Sequence, residues 1–195
     1  KSDFGAVFKA GINDGNHSHR DIGSYSIACG NSLIISDPGS EVYTKRTFSK
    51  DRFASKVLNS YGHPVPVING KLQKAGKNTQ STVLATDFTP DMDTFTVDIK
   101  KAYDDPTLKK LVRTFRFDRK NTAIEIEDSF EFTTPGKFEN ALITFGKIEK
   151  LPGGKLKITE KNSSVVVEIS SDCGPVSVSE DVIDEELAIK PKLKP

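Results

Sequence analysis

The sequence predicts an all-β protein, an antiparallel β-sandwich of about a dozen strands with little helix. Long runs alternate strictly between apolar and polar residues. Phe95, Val97 and Ile99 alternate with Thr94, Thr96 and Asp98; Ile124, Ile126, Phe130 and Phe132 alternate with Glu125, Glu127, Ser129 and Glu131. A period of two is that of a strand with one buried and one wet face. Turn residues punctuate these runs at regular spacing, the pattern of a sandwich. No helical period of useful length appears.

Taken in order, Phe4 to Ala10 reads as a first strand, and Gly11 to Gly23 as a polar loop. Tyr25 to Cys29 and Ser32 to Ser36 flank Gly30-Asn31, a two-residue hairpin turn with glycine first. That turn pairs Cys29 with Ser32, and the register then brings Ser24 opposite Asp37. Ser49 is placed to cap a short helix through Leu58, with Asp51 in its first turn. Gly62-His63-Pro64 reads as a turn, with the residue before proline held extended. Val65 to Ile68 is a short strand, followed by the hairpin signal Asn69-Gly70. Residues 74 to 81 form a polar loop. After the alternating runs come a more continuous segment, Ala141 to Phe145, read as a central strand, and two short strands, Lys147 to Leu151 and Lys155 to Thr159, around Gly153-Gly154. Val165 to Ile169 and Val176 to Val178 complete the set.

The length of 195 residues, with no internal repeat, predicts one sandwich domain over residues 1–184. Residues 185–195 read as a tail or truncated terminal strand. The first residue is Lys1, so the chain reads as processed or cut from something longer. Basic and acidic residues number 28 and 27, a net charge of +1. Bulk charge therefore argues for no polyanion partner, nucleic acid included, and any such preference must be local. No run of ~18 apolar residues marks a membrane span. The two cysteines, Cys29 and Cys173, are too few for a disulfide framework. Cys29, on a predicted strand, reads as a buried free thiol.

Chemistry concentrates in Asn16-His17-Ser18-His19-Arg20-Asp21. This stretch holds two of the three histidines, with Gly15 and Gly23 on either side. Imidazole is both the commonest metal ligand and the group that titrates nearest neutrality. Two histidines at i and i+2 in extended chain point to one side, the hairpin register adds Asp37, and His63 could close the set from another loop. A His/Asp/His set with water as fourth ligand suits zinc. Asp14 or Asp21 as ligands, or no metal at all, are the alternatives that the spacing leaves open. The basic run Lys109, Lys110, Arg113, Arg116, Arg119 and Lys120 could hold sulfated or uronic glycans, but the simpler reading is the wet face of a strand.

These residues also carry a resemblance. Lys9-Ala10-Gly11-Ile12-Asn13-Asp14-Gly15, His17-Ser18-His19-Arg20-Asp21-Ile22-Gly23-Ser24, Ile35-Ser36-Asp37-Pro38-Gly39 with Tyr43, and Gly62-His63-Pro64 through Ile68-Asn69-Gly70 to Gln73 resemble the heparinase II/III-like polysaccharide lyase family. The likeness spans residues 9 to 73 in order; beyond residue 80 only the β character agrees. It implies that this region opens a C-terminal, supersandwich-like β domain. An upstream (α/α) toroid domain of the same protein, absent from this chain, would supply the other half of the cleft. By motif, His17 resembles the active-site histidine, and His19, Asp37 and His63 resemble the ligands of one structural zinc ion. Tyr43 and Arg46 are candidates to contact the substrate, an acidic polysaccharide of the heparin or heparan-sulfate kind, cleaved by β-elimination. Packing for Tyr43 and a surface charge for Arg46 are the simpler readings. The implied location is periplasmic or secreted. Two departures stand out: Pro64 follows His63, where the family usually has asparagine, and Arg20 replaces a residue that is more often uncharged. The competing reading is a non-catalytic carbohydrate-binding or scaffolding sandwich. A third is a metal-dependent hydrolase, in which the open metal position activates water.

Overall fold

A computed structural model describes residues 3–188. Within them the chain forms twelve strands and short 3-10 turns. The strands are β1 (Phe4–Phe8), β2 (Tyr25–Cys29), β3 (Ser32–Ile35), β4 (Pro66–Ile68), β5 (Thr82–Phe88), β6 (Met92–Asp98), β7 (Leu108–Asp118), β8 (Ala123–Phe132), β9 (Phe138–Asn140), β10 (Lys147–Lys150), β11 (Leu156–Glu160) and β12 (Ser163–Val167). They make four antiparallel sheets, ordered β1-β2-β3, β5-β6-β7-β8, β4-β9 and β10-β11-β12.

The first two sheets face each other across the main core. Phe8 stacks on Phe115 with centroids 4.2 Å apart, Tyr25 meets the same ring edge-on at 6.0 Å, and Phe4 meets Phe117 at 6.0 Å. Ile27, Ile35, Val97, Leu111 and Phe115 are buried between them. Sheet β10-β11-β12 continues this core through Ile158, and its chain is tied to β3 where Ser32 Oγ donates to Glu160 O (3.0 Å). The β4-β9 pair closes one side, with Phe138 stacked on Phe130 at 4.2 Å.

Several local expectations change. Cys29 does pair with Ser32, and Gly30 adopts φ 57° at the turn. A bulge between Ile27 and Ala28 then shifts the register, so Ile27 pairs with Ile35. Asp37 therefore sits beside Ser26, its amide donating to Ser26 Oγ at 3.1 Å, rather than opposite Ser24. No α-helix spans Ser49 to Leu58. A 3-10 turn, Arg52–Ala54, lies here instead, preceded by another at Arg46–Phe48; Ser49 Oγ does accept from Asp51 N (3.1 Å), but it also donates to Arg46 O (2.9 Å), and only the short turn follows. Asn69 and Gly70 do turn at positive φ (50° and 74°). Yet β4 pairs with the distant β9, and only a Ile68–Lys71 bridge forms across the turn. Residues 141–145 and 176–178 belong to no strand. Both cysteines are free, Cys29 half-buried and Cys173 exposed. Arg113 is fully buried rather than on a wet face. Of the predicted tail, residues 185–188 lie against the body: Val42 N donates to Glu186 O (3.1 Å) and Ala188 N to Ser40 O (2.8 Å). The rest of it, 189–195, falls outside the described residues.

Candidate metal centre

Three loops converge at one end of the first sheet. The histidine loop is held from beneath by two buried amides. Asn13 donates to Gln73 Oε1 (2.9 Å) and Lys74 O (3.1 Å), and its own oxygen accepts from Asp21 N (3.3 Å). Gln73 closes on both sides of Ile22, accepting from its N–H (3.0 Å) and donating to its C=O (2.7 Å). Every polar atom of these amides thus has work to do, which is what makes a buried amide tolerable. Asp21 pairs with Lys9 at 2.5 Å. Asp21 is thereby occupied outside the metal cluster.

The His63 loop is fixed by its neighbours. Asn59 caps Tyr61 N (2.8 Å), and Gly62 N donates to Lys56 O (2.8 Å). A Cβ on Gly62 would lie 2.5 Å from Lys56 O, so only glycine fits there. His63 itself is extended (φ −118°, ψ 151°), as the following proline demands. Arg113 joins the two loops. It donates to Gly23 O (2.7 Å) after one and to Pro64 O (2.8 Å) after the other, while both oxygens of Asp128 bind its guanidinium at 2.7 Å. Burial alone would lower its pKa, but Asp128 more than offsets this and raises it.

The result is a cluster of His19, Asp37 and His63. One donor atom from each lies within 4.8 Å of the others. His63 Nδ1 is 3.0 Å from Asp37 Oδ2, and Asp37 Oδ1 accepts from Gly39 N (2.9 Å). The two imidazoles are tilted by 45° with centroids 5.3 Å apart. Burial would raise the Asp37 carboxyl, but hydrogen bonding to His63, its charge and Gly39 N–H hold it below its ordinary value. His19 is pushed down by burial and then by His63. A carboxyl held below its ordinary value, at Asp37, and an imidazole pushed down, at His19, both favour the deprotonated forms a ligand set needs.

The group fits a zinc ion on this structure's own terms. Two nitrogens and one carboxylate are a zinc-like donor set. His63 Nε2 is buried with no hydrogen-bond partner, so this ring has an uncommitted nitrogen.

His17 stands apart from the cluster. It is exposed, at φ 67°, and its ring joins none of the hydrogen bonds found among the described residues. It lines a shallow cleft with Asp14, Thr47, Phe48, Arg52 and Phe53. Tyr43 is half exposed and packs edge-on against Phe48 at 5.5 Å. Arg46 is engaged by the buried carboxylate of Glu41. The supports Asn13, Gln73 and Arg113 were not singled out as site residues from the sequence. For Arg113 a signal existed: Leu111, Arg113 and Phe115 fall on one face of a strand by period two, and all three are fully buried.

No protein-family model matches the sequence, and no curated protein does. Among solved structures, the chain is similar to a heparinase III, with a TM-score of 0.56 and 17% sequence identity. The match covers 78% of this chain but 24% of that one, so the chain spans about a quarter of that protein's length. The likeness is one of fold, shared with one part of that heparinase III.

Proposed function

We propose that this chain is the zinc-bearing β-sandwich of a polysaccharide lyase acting on uronic-acid glycans by β-elimination, and that it presents one face of the active cleft. The observation that carries the reading is the convergence of His19, Asp37 and His63 from three separate loops, with His17 left free two residues from a ligand. His19, Asp37 and His63 would hold the ion, which would clamp the loops beneath the cleft. His17, whose lone pair is not committed, would take the C5 proton or hydrogen-bond the uronate carboxylate. An upstream helical domain would supply the remaining groups, and the acidic polysaccharide would lie between the two.

Elemental analysis after purification without added metal or chelator tests the centre. One equivalent of zinc is expected, with ligand distances of ~2.0–2.2 Å in a crystal structure. Less than a tenth of an equivalent, with the three ligands apart, would sink it. The activity is tested on the parent protein by the ultraviolet absorbance of unsaturated uronate product, expected to vanish in His17→Ala. Acidic-glycan binding without product would favour a non-catalytic carbohydrate-binding sandwich.

A further inference from the structure

The chain has six arginines. Four are neutralised by carboxylates: Arg46 by Glu41, Arg113 by Asp128, Arg116 by Glu125 and Glu127, and Arg119 by Asp93. The other two, Arg20 and Arg52, have no carboxylate partner among the described residues, and they meet at one aromatic ring. The guanidinium carbon of Arg20 lies 3.7 Å from the Phe53 ring centroid and that of Arg52 lies 5.7 Å from it. All three residues are half-buried. Arg20 Nε is buried with no hydrogen-bond partner. Arg52 is pinned by the carbonyls of Thr47 (3.1 Å) and Ser18 (3.4 Å), the latter lying between His17 and His19. Arg52 and Phe53 line the same cleft as His17.

Placing two like charges on one ring, half out of water and without a counter-charge, is unfavourable. The ring fixes the guanidinium of Arg20 by stacking, which uses none of its N–H groups. Its planar fork therefore stays available to an oxyanion, the group that guanidinium binds in two-pronged fashion. One anion between the two arginines would relieve both charges.

We propose that Arg20, Arg52 and Phe53 form an oxyanion-binding site beside His17, which takes a sulfate or carboxylate substituent of an acidic glycan. The glycan as source of the anion rests on the lyase reading; the site itself rests on the two unneutralised arginines. Calorimetric titration of the 195-residue chain tests it with a sulfated heparin tetrasaccharide, the same tetrasaccharide desulfated so that only carboxylates remain, and a neutral maltotetraose. Arg20→Gln and Arg52→Gln should each weaken acidic-oligosaccharide binding about tenfold or more, the scale of losing a charge-assisted hydrogen bond. Binding should weaken with salt, and the neutral sugar should not bind. Loss confined to the sulfated probe identifies sulfate as the anion; loss on both identifies carboxylate. The Arg20 side chain donates no hydrogen bond among the described residues, so Arg20→Gln should keep the fold and metal content even if Arg52→Gln does not. Unchanged affinity in a folded Arg20→Gln protein, or no binding of either acidic probe by the wild type, overturns the site. Arginine-independent binding alongside product formation by the parent enzyme sinks the oxyanion site alone. Arginine-dependent binding without product sinks the lyase reading alone.

Discussion

At the residue scale, His17 and His19 lie two residues apart in opposite surroundings. His19 is turned into the cluster and pushed towards neutrality by burial. His17 adopts a left-handed backbone and faces solvent. Replacing His17 with Ala should therefore leave zinc content at one equivalent; loss of zinc in that variant would contradict the division. Gly62 is the opposite case, a residue with no freedom. Its missing Cβ leaves room for Lys56 O, so Gly62→Ala must displace backbone next to His63. The expected loss is about 1–3 kcal/mol of stability, the range for overpacking, together with weaker metal retention, read by denaturant melts and a competing chelator. Glu41 gives the pH prediction. Its buried carboxylate accepts from Thr47 Oγ1 (2.6 Å) and from Arg46. Burial would raise its pKa, but these bonds outweigh burial and hold it below the ordinary value. A carboxyl depressed on folding stabilises above its unfolded pKa, about 4.3, and that contribution disappears as pH falls through the lower folded value. Urea midpoints should fall between pH 6 and pH 3, less steeply in Glu41→Gln; equal slopes would remove Glu41 as a cause. The ligand types were legible in the sequence because histidines are few. The occupancy of Arg46 by Glu41 was not, since the two lie in a loop with no periodic signal.

At the element scale, strand β7 does more than complete a sheet. Its alternation puts Arg113 on the core face, where it ties Gly23 O and Pro64 O together, one beside each of the loops that carry His19 and His63. Removing one member of such a buried pair leaves the other charged and unpaired. Arg113→Met should cost about 3–5 kcal/mol, because Asp128 is nearly buried and, among the described residues, keeps only Asn140 as a side-chain hydrogen-bond donor. The double variant Arg113→Met with Asp128→Leu should recover much of that stability but not the metal affinity, since the two carbonyls stay untied. Recovery of both would make Arg113 a mere charge partner for Asp128. The hairpin β2-β3 was legible to its turn, and Gly30-Asn31 fixed it locally. The bulge at Ile27 was not, because it arises where the strand must carry Asp37 towards His63, a constraint set by another loop. Residues 141–145 mislead for a related reason: the run is apolar, with Leu142 packed on the core, and Ser36 N donates to Ile143 O at 2.9 Å, yet no strand forms there.

At the scale of the whole molecule, the sandwich was legible because alternation is a local property repeated in many strands. The pairing of faces was not, since contacts such as Phe8 on Phe115 join residues far apart in sequence. Nor was the route of the C-terminal segment. Glu185 binds Ser55 Oγ (2.6 Å) and Lys56 N (2.7 Å), and Asp181 binds Tyr61, through single polar contacts that no pattern announces. A metal held by three loops from different parts of this assembly should stabilise all of it. Zinc at a hundred times its dissociation constant adds about 2.7 kcal/mol, so a chelator should lower the melting temperature, and readdition of zinc should restore it. The same geometry limits what the chain does alone. Elimination needs several groups held around one sugar, and catalysis falls steeply when positioning is lost. Here His17 stands in an open cleft, where water weakens its electrostatic leverage. Residues 1–195 alone should therefore fold, bind zinc and yield no unsaturated product from uronic glycans. Joining them to an upstream helical domain that carries the missing acid/base groups should restore the absorbance. Turnover by the 195 residues alone, at a rate near that of the joined protein, would contradict this division of the site. The proton-transfer partner would then have to lie among the tyrosines of this chain. Tyr43 would be the first to substitute, since it is half exposed and packs against Phe48, which lines the His17 cleft.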